Sequence, residues 1–316
     1  MAADLQDPLP IAATTTAEEP TATLTSGAFA LELIRRQIRA LGKLQAEVLA
    51  DRDPEPLHQL RVSLRRLRTA LAQFAPALNL PAGVHERRIA SVARRTGLCR
   101  DLDVLGHRLR TELLPKLPEN EQQALKRAMK RLGEDRAQAF GTLEEALNGS
   151  RYLKLLARLS RWQKQPSYTA LGLQPLLPWL SDWQAPFTAA LFLHPGWLEE
   201  DPTAETLHDL RKCIKRARYS LENLKTWCQP PLQSWVEDLR QAQDHLGDLH
   251  DLQILQRSLR ESESLWKPSR MPVLQTELEN QQRLHWLRWR DLGQRMHQAG
   301  NRHTVQHHLQ MLGKET

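Results

Sequence analysis

Apolar residues recur every three or four positions through most of the chain, and the repeat is sharpest between Leu57 and Phe74. At about 100° per residue, Leu57, Leu60, Leu64, Leu67, Leu71 and Phe74 share one arc of roughly 100°. Such an apolar stripe belongs to a helix that faces a core. His58, Arg61, Arg65 and Arg68 fall in an adjoining arc of roughly 80°, with no acid among them. Polar helix faces usually mix charge signs, so a one-signed row beside the core calls for a reason. The pattern returns 150 positions later, where Leu207, Leu210, Ile214, Ala217, Leu221 and Leu224 flank His208, Arg211, Lys215 and Arg218. Seven of eighteen positions are identical between the two stretches. Arg66 and Arg216, also matched, lie off the stripe beyond its far edge.

Periodicity and breakers predict an all-α chain. Helices are expected over about 27–50, capped by Ser26, and from about 54 to about 76. A third helix is expected over about 82–114, a fourth over about 119–147 and a short one over 151–163. Six prolines between 166 and 202 exclude a long uninterrupted helix there, while Trp179, Trp183 and Trp197 mark that connector as packed. The second basic helix follows, then helices over about 231–260 and 272–299. Residues 1–25 read as a disordered tail and 301–316 as a frayed one, leaving a helical domain over 26–300.

The repeat extends past the basic helices. Gly97, Asp101, Leu102 and Leu105 match Gly247, Asp251, Leu252 and Leu255 at the same offset. Two similar segments in one order and at one spacing indicate an internal duplication, with halves of about 26–150 and 151–300. Two tandem four-helix bundle units are therefore expected, the second with a proline-broken first helix. A pseudo-two-fold arrangement would bring both basic rows to a central groove.

Composition sharpens this picture modestly. The 316 residues carry a formal net charge of +7, which permits an anionic partner without requiring one. No Walker-type or dinucleotide glycine loop occurs, so an anion site must use side chains. Cys99, Cys213 and Cys228 lack the pairing of a disulfide framework or zinc knuckle and read as reduced thiols of a cytoplasmic protein. No signal peptide and no bilayer-spanning run are expected.

The segments HQLRVSLRRLR (58–68), GLCRDLDVL (97–105), HDLRKCIKRARYSLE (208–222) and LGDLHDLQIL (246–255) resemble the CHAD family, the conserved-histidine α-helical domains. The resemblance covers about residues 27–300. It implies two four-helix units around a positively charged channel, binding of inorganic polyphosphate, and association with polyphosphate granules. The chain departs from the pattern at His250, where the first half has Arg100. The Glu-x-Glu-x-Lys strand of the triphosphate tunnel enzymes, to which such domains are sometimes fused, does not occur here.

A linear polyanion needs a row of cations and no base-reading groups. Arginine suits phosphate because its planar fork donates paired, charge-assisted hydrogen bonds, and a histidine beside a polyanion gains a proton more readily. The candidate phosphate ligands are His58, Arg61, Arg65, Arg66, Arg68 and Arg100 in the first half. Those of the second half are His208, Arg211, Lys215, Arg216, Arg218 and Arg240. Asp101, Asp103 and Asp251 are expected to orient these cations by pairing with them. Four alternatives compete: a solvated basic face, nucleic-acid backbone binding, a metal-binding role, and a phosphohydrolase accessory role. Arginines around His58 and His208 oppose a metal ion there, and His303, His307 and His308 offer at most a weak tail site. The tryptophans are not interleaved with the basic rows, as a base-stacking platform would require. No catalytic constellation is legible, so no catalysis, cofactor or metal is expected.

Overall fold

We describe residues 24–261 and 271–314 in a computed structural model of the chain. Eleven α-helices follow in order: α1 (Ser26–Ala50), α2 (Glu55–Gln73), α3 (Glu86–Arg95), α4 (Gly97–Arg108), α5 (Glu119–Asn148), α6 (Ser150–Trp162), α7 (Leu180–Phe192), α8 (Glu205–Asn223), α9 (Pro230–Glu261), α10 (Pro272–His297) and α11 (Ala299–Gln310). Among the described residues, extended pairing is confined to two isolated bridges, Thr25 with Pro175 and Leu78 with Tyr168. The chain is all-α.

The apolar stripes do what their period requires. Every stripe residue of α2, with Phe74, is buried, as are Leu207, Leu210, Ile214, Ala217, Leu221 and Leu224 around α8. α1 packs on α2, α7 on α8, α8 on α9 and α9 on α10, and α2 also meets α8. One hydrophobic core runs through residues of both halves. A second cluster joins Leu105, Leu109, Leu113 and Leu125 to Leu252, Leu255 and Leu274. The halves are thus joined through shared apolar surface, the main stabilising term in folding.

Several expected boundaries move. The Thr25 hydroxyl, not that of Ser26, caps α1 by accepting from Ala28 N at 3.2 Å. Ser26 is fully buried, and its hydroxyl accepts from the Trp183 indole at 3.2 Å. The expected disorder of the N-terminal tail falls outside the described residues except at Leu24 and Thr25, which are held by the 174–176 segment. The expected helix 82–114 divides at Thr96 into α3 and α4, and its last turns are π (Leu109–Leu113) and 3-10 (Leu114–Lys116). The proline-rich connector contains α7, which passes through Pro186 and lies against α8. The region expected to fray after Gly300 is helix α11, anchored by buried Val305 and Leu309.

Candidate functional site

The division between α3 and α4 is linked to the first basic row. Arg61 donates to the Ala93 carbonyl at 2.8 Å and to the Thr96 hydroxyl at 3.1 Å. Thr96 also donates to the Ala93 carbonyl at 2.9 Å. That carbonyl is where an uninterrupted helix would receive the Gly97 N–H. Arg61 and Thr96 therefore satisfy an orphan helix-end acceptor. In the second half, Arg211 donates to the Gln243 carbonyl, at 3.4 Å, from the matched position. There α9 continues unbroken.

The paired glycines both lie against these arginines. A Cβ at Gly247 would lie 2.9 Å from an Arg211 guanidinium nitrogen, and one at Gly97 would lie 3.5 Å from Arg61. Glycine at 247 leaves room for a guanidinium laid along the helix surface, whereas the contact at Gly97 is one that an alanine could also make.

Burial in this recess is costly for charge. Desolvation, with Arg65 adding to it, lowers the Arg61 guanidinium to about 10. Desolvation also lowers Arg211, where Asp251 works in the opposite direction. Lys215 is affected most: desolvation first, then Arg211 and Arg65, push its ammonium down to about 6. The Asp101 side chain reaches solvent but stands in a crowded recess. That crowding raises its carboxyl despite Arg61, Arg211, Arg65 and Lys215 around it. Desolvation likewise raises Asp251 against the pull of Arg211. Basic residues from two segments, 150 positions apart, therefore sense one another's fields.

A pocket of about 280 Å³ lies where α2 meets α8. Its wall includes Arg65 and Arg68 of α2, Glu86 of α3, and Lys212, Lys215 and Arg216 of α8. Arg65 and Lys215 make no hydrogen bond or ion pair with the described residues. Arg100 on α4 is also without such a partner, and its charge reaches both His58 and Arg61.

Several other candidates are paired with acids. Arg68 pairs with Glu86 at 2.9 Å, and Arg218 pairs with Glu222 one turn along its own helix. Arg218 also donates to the Gln243 side chain at 3.2 Å and lies 4.5 Å over the Tyr219 ring. The stripes have no acid among their own positions, but acids elsewhere cover this end of both. Arg66 is exposed and pairs with Glu222 at 3.5 Å. Arg216, also in the pocket wall, lies 5.8 Å over the Phe187 ring and has no acid partner among the described residues. Arg240 is exposed, with both its bonds directed to Glu237 at 2.9 and 2.7 Å. Such a surface pair belongs to its own helix face.

The histidines are held mainly neutral. Burial lowers His58, with Arg100 adding to the effect, and lowers His208. His208 stacks on His250 with centroids 4.2 Å apart, and burial followed by His208 pushes His250 down to about 4. Of the three aspartates expected to orient the row cations, none bonds one: Asp103 accepts from Arg136, outside the rows, at 2.9 Å. Asp101 and Asp251 act through the field rather than a bond. Gln243, Thr96, Glu86 and Tyr219 entered the site without any sequence signal that separated them from ordinary helix residues. Burial pushes the Cys99 and Cys228 thiols up to about 11, away from the thiolate range of nucleophiles. Trp235 and Trp289 are buried in packing, not presented to the pocket.

The architecture has solved counterparts. The crystal structure of the CHAD domain from the plant Ricinus communis matches with a TM-score of 0.60 and 22% identity, over 92% of this chain and 93% of that one. PptA from Streptomyces chartreusis matches with a TM-score of 0.59 and 17% identity, over 86% of this chain and 100% of that one. At such identities the likeness speaks for the fold. No curated protein matches the chain. The sequence profile of the CHAD domain matches residues 32–260. That span holds both basic helices and both glycine–aspartate segments, and on that match the chain belongs to the CHAD domain family.

Proposed function

We propose that this chain binds inorganic polyphosphate between α2 and α8, without catalysis, and that granule association follows from that binding. The observation that carries the proposal is the pocket whose wall holds Arg65 and Lys215, neither of them in a hydrogen bond or ion pair with the described residues. Arg61, Arg211 and Arg100 supply further positive field around them. The equivalent positions Gln73 and Asn223 meet directly, at 2.9 Å, which supports a two-sided approach of the basic rows to one ligand. A polyanion entering the recess would supply negative charge that favours a proton on Lys215. No helix among the described residues is long and apolar enough to cross a membrane.

The test is competition at matched ionic strength between long-chain polyphosphate and duplex or single-stranded DNA. Polyphosphate is expected to win, with an affinity that falls steeply with salt because counterions are released. Equal displacement by DNA would favour a general polyanion surface, and metal-dependent phosphate release would reveal an enzyme.

Binding is also expected to take up protons. Lys215 sits at about 6 in the free protein, and His58 and His208 also lie below their ordinary values. A bound polyanion raises all three. Each such group favours binding most below its free-state value, and that advantage is lost as pH rises through its bound-state value. For Lys215 the window opens near pH 6 and extends upward. Affinity for long chains, whose end groups count little, is expected to fall on the order of tenfold or more between pH 6.5 and 8.5 at constant salt. Calorimetry in buffers of different ionisation heat reads the protons directly, and a flat profile with no uptake would remove Lys215 from the site.

A further inference from the structure

About one helical turn before Asp251, on the side of α9 that faces α10, lies a second cluster. His245 and Asp248 are three residues apart on α9, and His285 faces them from α10. One donor atom from each lies within 4.8 Å of the other two. His285 Nδ1 stands 3.2 Å from an Asp248 carboxylate oxygen, yet this buried nitrogen has no hydrogen bond of acceptable angle. Two lone-pair donors held close without a proton properly between them are arranged as ligands of a shared ion are.

We infer that His245, Asp248 and His285 form a binding site for a zinc-class divalent cation. Two imidazoles and one carboxylate are a set that borderline transition ions accept, leaving a position open to water. Bonds of roughly 2.0–2.1 Å to a tetrahedral ion put the donors about 3.3 Å apart. Rotation of the imidazoles and the carboxylate about their own side-chain bonds closes the remaining distance. Calcium and magnesium prefer oxygen donors and fit this set poorly.

The surroundings supply an outer shell. Arg108 Nη1 lies 3.7 Å from the other Asp248 oxygen, which leaves the oxygen beside His285 for the ion. Arg108 is itself held by Glu112 at 3.3 Å and Gln281 at 2.9 Å, so its charge is shared. Arg288 acts on both histidines, and Asp244 offsets it at His245. Burial keeps both imidazoles below the ordinary histidine value, so they meet an ion as neutral donors. This site shares no residue with the proposed polyphosphate pocket and stands or falls separately.

The test uses the tag-free full chain, stripped with EDTA and free of polyphosphate, titrated with ZnCl2 by calorimetry and with CoCl2 by visible absorption. One equivalent per chain is expected, with the intense cobalt bands of four- or five-coordination. Asp248→Asn and His285→Ala should each weaken zinc binding by more than about 100-fold, the upper range for loss of an outer-shell partner alone. The tail variant His303→Ala/His307→Ala should bind as the parent does. Far-UV circular dichroism identifies folded variants, and His285→Gln replaces His285→Ala if the latter unfolds. The inference is overturned if the folded parent takes up no stoichiometric zinc, if binding survives Asp248→Asn/His285→Gln together, or if it disappears in the tail variant.

Discussion

The double variant Arg65→Ala/Lys215→Ala is expected to lose on the order of 100-fold in polyphosphate affinity, while its melting temperature holds or rises. A hydrogen bond to a charged group contributes about 1.5–3 kcal/mol, and each 1.4 kcal/mol is about a factor of ten in affinity. Two such contacts give at least about 100-fold. The lower end applies, because Lys215 must first take a proton that its surroundings disfavour. Those surroundings also explain the stability side. Lys215 at about 6 is mostly an unprotonated amine at neutral pH, so its removal breaks no ion pair, while removal of Arg65 relieves its repulsion of Arg61. Loss of function with no loss of fold is characteristic of a site maintained at a cost to stability. Fluorescence-detected binding and a thermal melt on the same samples check both halves. Unchanged affinity would move the ligand elsewhere, and a melting temperature lowered by several degrees would make the two side chains structural.

Gly172→Ala is expected to be the most damaging small substitution in the described chain. A Cβ there would lie 2.0 Å from the Ala77 carbonyl oxygen and 2.9 Å from its carbon. These are backbone atoms, unable to swing aside. The same seam is tied by Gly27 N donating to the Gly172 carbonyl at 2.8 Å and by Thr169 N donating to Ala77 O at 3.2 Å. It joins the start of α1 and the turn after α2 to the connector. Overpacking costs up to about 3 kcal/mol and sometimes more, which lowers the melting temperature of a chain this size by roughly 5 °C or more. Gly42→Ala is the control. Nothing lies within 4 Å of its would-be Cβ, so replacing a helix-interior glycine should hold stability or add about 0.5–1 kcal/mol. Equal melting temperatures for the two variants would show that the seam yields.

How far the site was legible depended on the range over which each feature acts. The apolar stripes of α2 and α8 were readable because helical period is local, and their residues are buried. The pairing of Arg218 with Glu222, and of Arg240 with Glu237, was in principle readable too, since neighbours three or four apart share a helix face. Taking the stripes as free of acids overlooked that range. Arg68 is different: its partner Glu86 lies on another helix. So is the interruption at Thr96, where helical period runs on but Arg61, 35 residues earlier, shares the helix-end carbonyl with Thr96.

From the sequence alone came the helical class, the faces of the principal helices, the internal repeat and the basic character of its two rows. All are properties of spacing along one segment, fixed by the turn per residue. Tertiary structure decided which cations keep their charge available. Coulomb interactions depend on distance in space and on the local dielectric, and neither is written in residue order. Arg65 and Lys215 became the centre of the candidate site because α2 and α8 meet at them and no acid of the described residues bonds either side chain directly. Arg68 and Arg218, indistinguishable from them by period, became ion-paired. The meeting of His285 with His245 and Asp248 likewise exists only because α10 folds back on α9.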